Sequence, residues 1–357
     1  KISKSMEFKE ILKKRVNEIL KISKNKKKLS GFIIGNTSKI ETKDEYFFTP
    51  IRTTEKMVFT GIIVFSERYA KMAAQYIDGK VNYIIVDAEK KIPPKKNGKP
   101  SNIERRVKEI IKKTKLWFFK GNDLTVDAVD ILLTFLMKND LRGIGGKKIA
   151  IIGAGNIGAK IALSMVERGA KVFLTRKNFN KLKKITETLN SIKPIYTKEK
   201  ILPIKKNLVA MKSADIIIGA TNGKPVIDKE ILSKIKKRSI IVDVGKGTVY
   251  KDALSFAIKK KINIYRVDIS AALNGFINKS LMIEKMKLEK LSRRKIRGET
   301  LVSGGLLGDY EEIIVDNVSK PTLIYGMSDG HGDFLRTLSE NQKSRVLKMR
   351  NFFKNKY

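Results

Sequence analysis

Residues Lys147–Arg176 read KKIAIIGAGNIGAKIALSMVERGAKVFLTR, and the fold follows from how this stretch is parsed. Lys147–Ile152 is a short apolar run of strand character, Gly153-Ala-Gly155-Asn156-Ile157-Gly158 is a tight turn, Ala159–Arg168 has helical apolar spacing, and Lys171–Thr175 is a second strand. Such a β-turn-α-β unit with glycines at its turn suits a dinucleotide. Gly153 permits the turn, Gly155 lets the backbone approach a pyrophosphate, and Gly158 lets the helix pack on the strand, with the phosphates on the helix N-terminus. An NAD site usually carries Asp or Glu at the end of the second strand. This chain has Thr175-Arg176-Lys177 there, and a guanidinium suits a 2′-phosphate, so NADP is the expected cofactor.

The alternation continues downstream. Asn180–Asn190 reads as a helix, and Ile216–Gly219, Ile240–Val244 and Ile262–Val267 read as strands, which predicts a Rossmann-type doubly wound parallel sheet. Ligands in such sheets bind beyond the strands' carboxyl ends, so Ala220, Thr221, Asn222, Val244 and Gly245 join Gly153, Gly155, Asn156, Ile157, Gly158, Thr175, Arg176 and Lys177 as expected cofactor contacts.

Upstream, Met6–Leu20 has the spacing of an amphipathic helix, used for packing on the protein's own body rather than on a membrane. Strands are expected at Leu29–Gly35, Gly61–Phe65, Tyr83–Asp87 and Leu116–Phe119, and helices at Glu67–Ile77, Ile103–Thr114 and Thr125–Met137. Thr125 is the expected cap of the last helix, with Asp127 in its first turn. Polar loops are expected over Asn36–Glu45 and Lys90–Ser101. Beyond Asp268, helices are expected over Leu281–Lys295 and Asp309–Val318. The whole predicts an α/β substrate domain formed by 1–140 with 275–357, and an NADP-binding domain over 141–274.

Composition narrows the chemistry. The 357 residues contain no cysteine, which excludes disulfides, thiolate metal sites and a cysteine nucleophile. The formal charge of +40 comes mostly from scattered lysines in a chain also rich in Ile and Asn, as an AT-rich genome produces. Nucleic acid is therefore not the favoured partner, and no aromatic-plus-basic RNA module is visible. No stretch reaches membrane-span length and no signal peptide is evident, so the cytoplasm is expected. His331, the single histidine, lies in Asp329-Gly-His331-Gly-Asp333; without a second His or a Cys this reads as a turn, and no metal is expected.

Several pieces in shared order resemble the bifunctional methylenetetrahydrofolate dehydrogenase/cyclohydrolase family and its tetrahydromethanopterin-dependent relatives, whose fold is shared with shikimate dehydrogenase. They are the basic opening helix followed by a strand ending Ile34-Gly35, Leu124-Thr125-Val126-Asp127, Ser213-Ala214-Asp215-Ile216, Gly223-Lys224-Pro225, Ile241-Val242-Asp243-Val244-Gly245 and Ser303-Gly304-Gly305-Leu306-Leu307-Gly308. The resemblance implies hydride transfer between NADP and an anionic small molecule, a pterin first, in a cytoplasmic homodimer of one-carbon metabolism. That family's Tyr-x-x-x-Lys pair is absent, since Tyr46 is followed by Pro50 and Tyr69 by Ala73, so cyclohydrolase activity is not expected. The cofactor turn is more similar to those of the methanopterin-type enzymes and shikimate dehydrogenase. The latter's catalytic Lys–Asp pair would correspond to Lys56 with Asp127, or else Asp123, with Lys246 and His331 as further choices. Two alternatives stay open: a shikimate dehydrogenase-like enzyme acting on a cyclic hydroxy acid, and an anionic-polymer or RNA binder that retains a Rossmann domain. A resemblance to glutamyl-tRNA reductase would join enzyme and RNA, but that chemistry uses a cysteine nucleophile.

Overall fold

The computed structural model describes residues 2–37, 46–93, 101–286 and 291–356. It is an α/β protein whose chain forms two compact units, 1–275 and 276–357. The expected loops over 36–45 and 90–101 fall largely on 38–45 and 94–100, which lie outside the described residues.

The first unit opens with α1 (Ile2–Asn25), β1 (Leu29–Asn36), β2 (Tyr46–Thr53), β3 (Met57–Val64), α2 (Glu67–Ile77), β4 (Tyr83–Asp87), α3 (Ile103–Lys108) and β5 (Lys115–Phe119). Its sheet runs β2-β3-β1-β4-β5, parallel except for β2, which lies antiparallel to β3. Phe8, Leu12, Val16 and Ile19 form the fully buried stripe of α1, facing β1 and β3. At about 1.5–3 kcal/mol for each fully buried apolar side chain, this stripe fixes the helix far more strongly than propensity does. Phe8 anchors an aromatic group with Tyr46, Phe48 and Tyr69, at centroid distances of 4.8, 5.7 and 4.9 Å. Thus Tyr46–Thr53, which carried no expected element, is a strand because its aromatic face has a partner. The helix expected over Ile103–Thr114 ends at Lys108. The Asp78 carboxylate accepts the backbone N–H groups of Lys112, Lys113 and Thr114 at 2.9, 3.0 and 2.9 Å, turning the chain into β5.

Next comes α4 (Gly121–Leu136), which starts before the expected Thr125. Thr125 is no cap: its hydroxyl donates to the Gly121 carbonyl at 2.9 Å, one turn back inside the helix. The first N–H groups go instead to carboxylates, Gly121 N to Asp87 at 3.2 Å and Asn122 N to Glu89 at 2.8 Å. Asp127 consequently sits in the second turn, and Asp123 in the first.

Then follow β6 (Lys148–Ile152), α5 (Asn156–Glu167), β7 (Lys171–Thr175), α6 (Phe179–Ile192), β8 (Ile201–Ile204), α7 (Asn207–Lys212), β9 (Ile216–Gly219), α8 (Lys229–Lys234), β10 (Ile240–Asp243), α9 (Lys251–Lys259) and β11 (Ile264–Arg266). The six strands are all parallel in the order β11-β10-β9-β6-β7-β8. Numbered from β6, that is 6-5-4-1-2-3, the Rossmann order. The unexpected strand is β8, masked in the sequence by Pro203; an edge strand tolerates proline because its outward side needs no donor. Helix α4 packs along α5, where Arg168 binds Asp130 at 2.6 Å and Lys160 binds Asp123.

α10 (Ser270–Met286) leads into the second unit, which holds β12 (Arg293–Ile296), β13 (Glu299–Ser303), β14 (Ile313–Val315), β15 (Ile324–Met327) and α11 (Glu340–Lys356). Here two expected helices are corrected. Within Leu281–Lys295 the helix stops at Met286 and Arg293 onward is strand, paired with β13 across a hairpin turn whose Arg297 and Gly298 have φ +51° and +85°. Within Asp309–Val318 lies β14, because Ile313 and Val315 are needed side by side in a core with Leu301, Met327, Met349 and Phe353. Residues 276–357, grouped by sequence with 1–140, therefore own a sheet and a core.

Candidate cofactor site

At the carboxyl end of β6 the chain turns through Gly153, whose φ is +114° and whose added Cβ would lie 2.4 Å from the Ala220 carbonyl oxygen. The turn is pinned to β7: Gly153 N and Ala154 N both donate to the Thr175 carbonyl, at 3.2 and 2.9 Å. Thr175 itself is buried, so it serves through its backbone. Gly158 packs against the same turn, and a Cβ there would meet Gly153 O at 1.9 Å. Gly155, by contrast, caps α5 in an ordinary extended conformation, and no atom lies within 4 Å of the position its Cβ would take. The closed glycines hold the turn, and the open one leaves room for a phosphate on the N-terminus of α5, where no side chain caps the helix and no acid stands in its first turn.

Arg176 lies over this turn, its guanidinium donating to the Ala154 carbonyl, and exposed Lys177 follows it. No acid stands at the end of β7. The residues present thus fit a dinucleotide. Asn156 and Ile157 begin α5, and the Asn156 side chain accepts from Asn122 Nδ2 at 3.1 Å, tying the turn to α4.

The loops after β9 and β10 form the other wall. Ala220 N donates to Ile152 O at 2.8 Å, and Val244 N and Gly245 N both donate to Gly219 O. Thr221 bonds the Lys224 carbonyl at 2.6 Å and lies 3.3 Å from the Thr248 hydroxyl, while Asn222 adopts φ +57°. Asp243 and Thr248, absent from the expected set, organise this wall: the Asp243 carboxylate accepts from Gly247 N and from the Thr248 hydroxyl, both at 2.8 Å. Lys246 stands exposed in the same turn, at φ +53°. The acid closing a strand just before a Gly-Lys-Gly turn is the signal that could have found Asp243 and Thr248.

The expected catalytic pair is not brought together. Lys56 stands in the turn before β3, more than half exposed, with Nζ 2.5 Å from Glu55; the length of β3 separates it from the carboxyl edge of its sheet. Asp127 is exposed on α4. Asp123 is bound by Lys120 and Lys160. Burial raises the Asp123 carboxyl, and hydrogen bonds from these two lysines outweigh it, holding the group below the usual carboxylate range.

What the structure does assemble is a polar cluster at the carboxyl end of β4. Asp87, almost fully buried, accepts from Gly121 N, from Glu89 N at 3.1 Å and from Lys91 Nζ at 2.6 Å, and Lys91 Nζ also lies 2.9 Å from Glu89. Asn36, at the end of β1, donates to the Asp87 carbonyl at 3.2 Å and accepts from Lys91 N at 3.2 Å. An acid-x-acid-x-Lys run directly after a parallel strand was the available signal. In the second unit, the Asp329 carboxylate accepts from His331 N and Asp333 N, making a turn of that segment. Among the described residues no group of three metal-ligating side chains converges, and no helix is long and apolar enough to cross a membrane.

Comparison with known proteins bears on part of the chain. Residues 148–247 match the family described as NADP oxidoreductase, coenzyme F420-dependent. A stretch of 102 residues is 29% identical to glutamyl-tRNA reductase of Thermosipho melanesiensis; the match covers 29% of this chain and 26% of that protein, so it spans about a quarter of the relative's length. Among solved structures, L-tryptophan dehydrogenase of Nostoc punctiforme aligns over 72% of this chain and 74% of its own at 10% identity and a TM-score of 0.41. A dipicolinate synthase polypeptide of Bacillus halodurans aligns over 72% and 97% at 13% identity and a TM-score of 0.37. The family match thus falls on the segment whose strand order is that of a Rossmann unit.

Proposed function

We propose that this protein is an NADP-dependent oxidoreductase that moves a hydride between the nicotinamide and a small anionic substrate at the carboxyl edge of its two parallel sheets. The observation that carries the reading is the pairing of an open Gly155 with Arg176 seated on the Ala154 carbonyl, where an NAD site would carry an acid. Gly153, Gly155, Asn156, Ile157 and Gly158 would hold the pyrophosphate, Thr175, Arg176 and Lys177 the adenosine ribose and its 2′-phosphate, and Ala220, Thr221, Asn222, Val244 and Gly245 the nicotinamide side. When bound, the cofactor supplies or accepts the hydride. The chain's own contribution is to fix the two walls rigidly, the first through the Thr175 carbonyl and the second through Asp243 and Thr248. The resemblance to the methylenetetrahydrofolate and methanopterin dehydrogenases supports a pterin, and that to shikimate dehydrogenase a cyclic hydroxy acid.

The test is a titration with NADPH and NADH followed by nicotinamide fluorescence. NADPH should bind more than about tenfold more tightly, a difference of about 1.4 kcal/mol. Equal affinities refute the NADP reading, and absence of binding by either refutes the oxidoreductase reading.

A further inference from the structure

Besides Arg176, Lys177 and Lys246 the cofactor walls present backbone and hydroxyl groups, whereas the cluster after β4 presents an amine held between two carboxylates. Building on the oxidoreductase reading above, we propose that Lys91 contacts the substrate's reacting oxygen, and that the substrate is a hydroxy or oxo acid rather than a pterin.

The geometry around Lys91 is unusually determined for a lysine. Its side chain is 18% exposed between Asp87 and Glu89, which are 3% and 13% exposed. The same two carboxylates take the first backbone N–H groups of α4. The helix comes so close that a Cβ on Gly121 would lie 2.9 Å from Lys91 Nζ and 2.8 Å from Asp87 Oδ2. From there Asn122 reaches Asn156 at the start of the cofactor helix. Lys91 is thereby held at the carboxyl edge of its sheet, against the helix whose Asn122 bonds the first residue of α5. An ammonium has three N–H groups; one is donated to Asp87, and Glu89 stands in ion-pair contact at 2.9 Å, which leaves donor capacity for a substrate oxygen. With Asp123, Lys120 and Lys160 beside them, three lysines face three carboxylates at the start of α4. The locality is thus close to neutral, and the helix terminus adds partial positive charge toward an anionic substrate.

This arrangement matches one of the two substrate classes. Moving a hydride to or from a pterin's methylene carbon leaves the charge change on its nitrogens, with no proton required at an oxygen. Interconverting an alcohol and a ketone moves one proton at oxygen for every hydride. In the reducing direction the bound cofactor would supply the hydride to the carbonyl carbon; the C=O electron pair moves to oxygen, to which Lys91 Nζ gives its proton, and water reprotonates the amine. Positioned proton donors of this kind contribute about 10²–10⁴-fold to rate.

The experiment uses the full chain and three readouts: NADPH affinity by fluorescence, NADPH oxidation with pyruvate, 2-oxoglutarate and 3-oxocyclohexanecarboxylate as probes, and calorimetric binding of oxalate to the NADP-loaded protein. Lys91→Met should lower the rate with the active probe by about 100-fold or more and abolish oxalate binding, with the NADPH Kd within about twofold of wild type. Added ethylamine should restore part of the rate to Lys91→Ala. Because Lys91→Met strands two buried carboxylates, the variant Glu89→Gln/Lys91→Met is measured alongside it, and the same losses are expected. Turnover near the wild-type rate in this double variant overturns the assignment, as does a rise in NADPH Kd that accounts for the whole rate loss, which would make Lys91 a cofactor contact. A wild type that binds NADPH but neither binds oxalate nor reduces any oxo acid also overturns it while leaving the cofactor reading intact; failure to bind NADPH at all removes the cofactor reading first.

Discussion

Gly155→Ala and Gly158→Ala lie three residues apart in one turn and should fail in opposite ways. At Gly155 the backbone, with φ −87° and ψ −168°, suits any residue, and the new methyl meets no atom within 4 Å. Its effect on folding should stay within about 0.5 kcal/mol. The methyl would nevertheless occupy the space through which a pyrophosphate approaches the backbone. Treated as overpacking of that contact, this costs about 1–3 kcal/mol, or roughly a 5- to 150-fold rise in NADPH Kd. At Gly158 the methyl would sit 1.9 Å from the Gly153 carbonyl oxygen, more than an ångström inside normal contact, and the neighbour is backbone. The helix must shift off β6, and the strain exceeds the gain of about 1 kcal/mol that alanine brings to a helix. Thermal unfolding with and without NADPH separates the two. Ligand at 100 times the wild-type Kd stabilises wild type by about 2.7 kcal/mol, Gly155→Ala should melt like the apo wild type without ligand and gain only about 0.3–1.8 kcal/mol with it, and Gly158→Ala should melt early even without ligand. If Gly155→Ala keeps wild-type NADPH affinity, the open position is not the phosphate cradle and the reasoning fails.

Arg176→Ala should raise the NADPH Kd by roughly 10- to 150-fold, from a charged hydrogen bond of about 1.5–3 kcal/mol, while the NADH Kd stays nearly unchanged; titrations with both cofactors check it. In the second unit, Arg345 grips Glu299 through Nε at 3.0 Å and Nη2 at 2.8 Å, and also reaches Glu311 at 2.5 Å. Arg345→Met strands these carboxylates, and the loss of the forked pair with Glu299 should cost about 2–3 kcal/mol, seen as a lower urea midpoint for loss of α11. Asp78 tests pH dependence. Burial raises its carboxyl, but the N–H groups of Lys112, Thr114 and Lys113 outweigh that and hold it below 3.8. Its stabilisation is therefore fully present above pH 3.8 and lost as pH falls through the lower folded value. Asp78→Ala should cost about 1–3 kcal/mol at pH 7, with the gap to wild type closing only in acid, as parallel urea titrations would show.

The parts of this protein legible from sequence are those set by neighbours along the chain. Lys171–Thr175, Glu67–Ile77 and Ile216–Gly219 form as their period and flanking turns require, and the glycine turn after β6 was legible because each glycine's conformation is decided within a few residues. Elements that depend on a distant partner were not. Tyr46–Thr53 becomes a strand because Phe8 covers it, α4 starts at Gly121 because Asp87 and Glu89 take its first N–H groups, and β14 replaces a helix because a separate core needs Ile313 and Val315. The catalytic candidates were likewise chosen by local cues. Lys56 was singled out by its place after a Thr-Pro loop, a local cue, yet it ends at the wrong edge of its sheet. Lys91 has only the acid-x-acid-x-Lys spacing as a local cue, among so many lysines. Its distinction arises where the end of β4 meets the start of α4, more than thirty residues later, and where α4 in turn meets the cofactor turn as far again along the chain. A lysine that two buried carboxylates immobilise at such a junction gives up the side-chain freedom that makes most lysines surface residues. The fold bears that cost at the carboxyl end of β4, where the start of α4 ties the first sheet to the turn after β6.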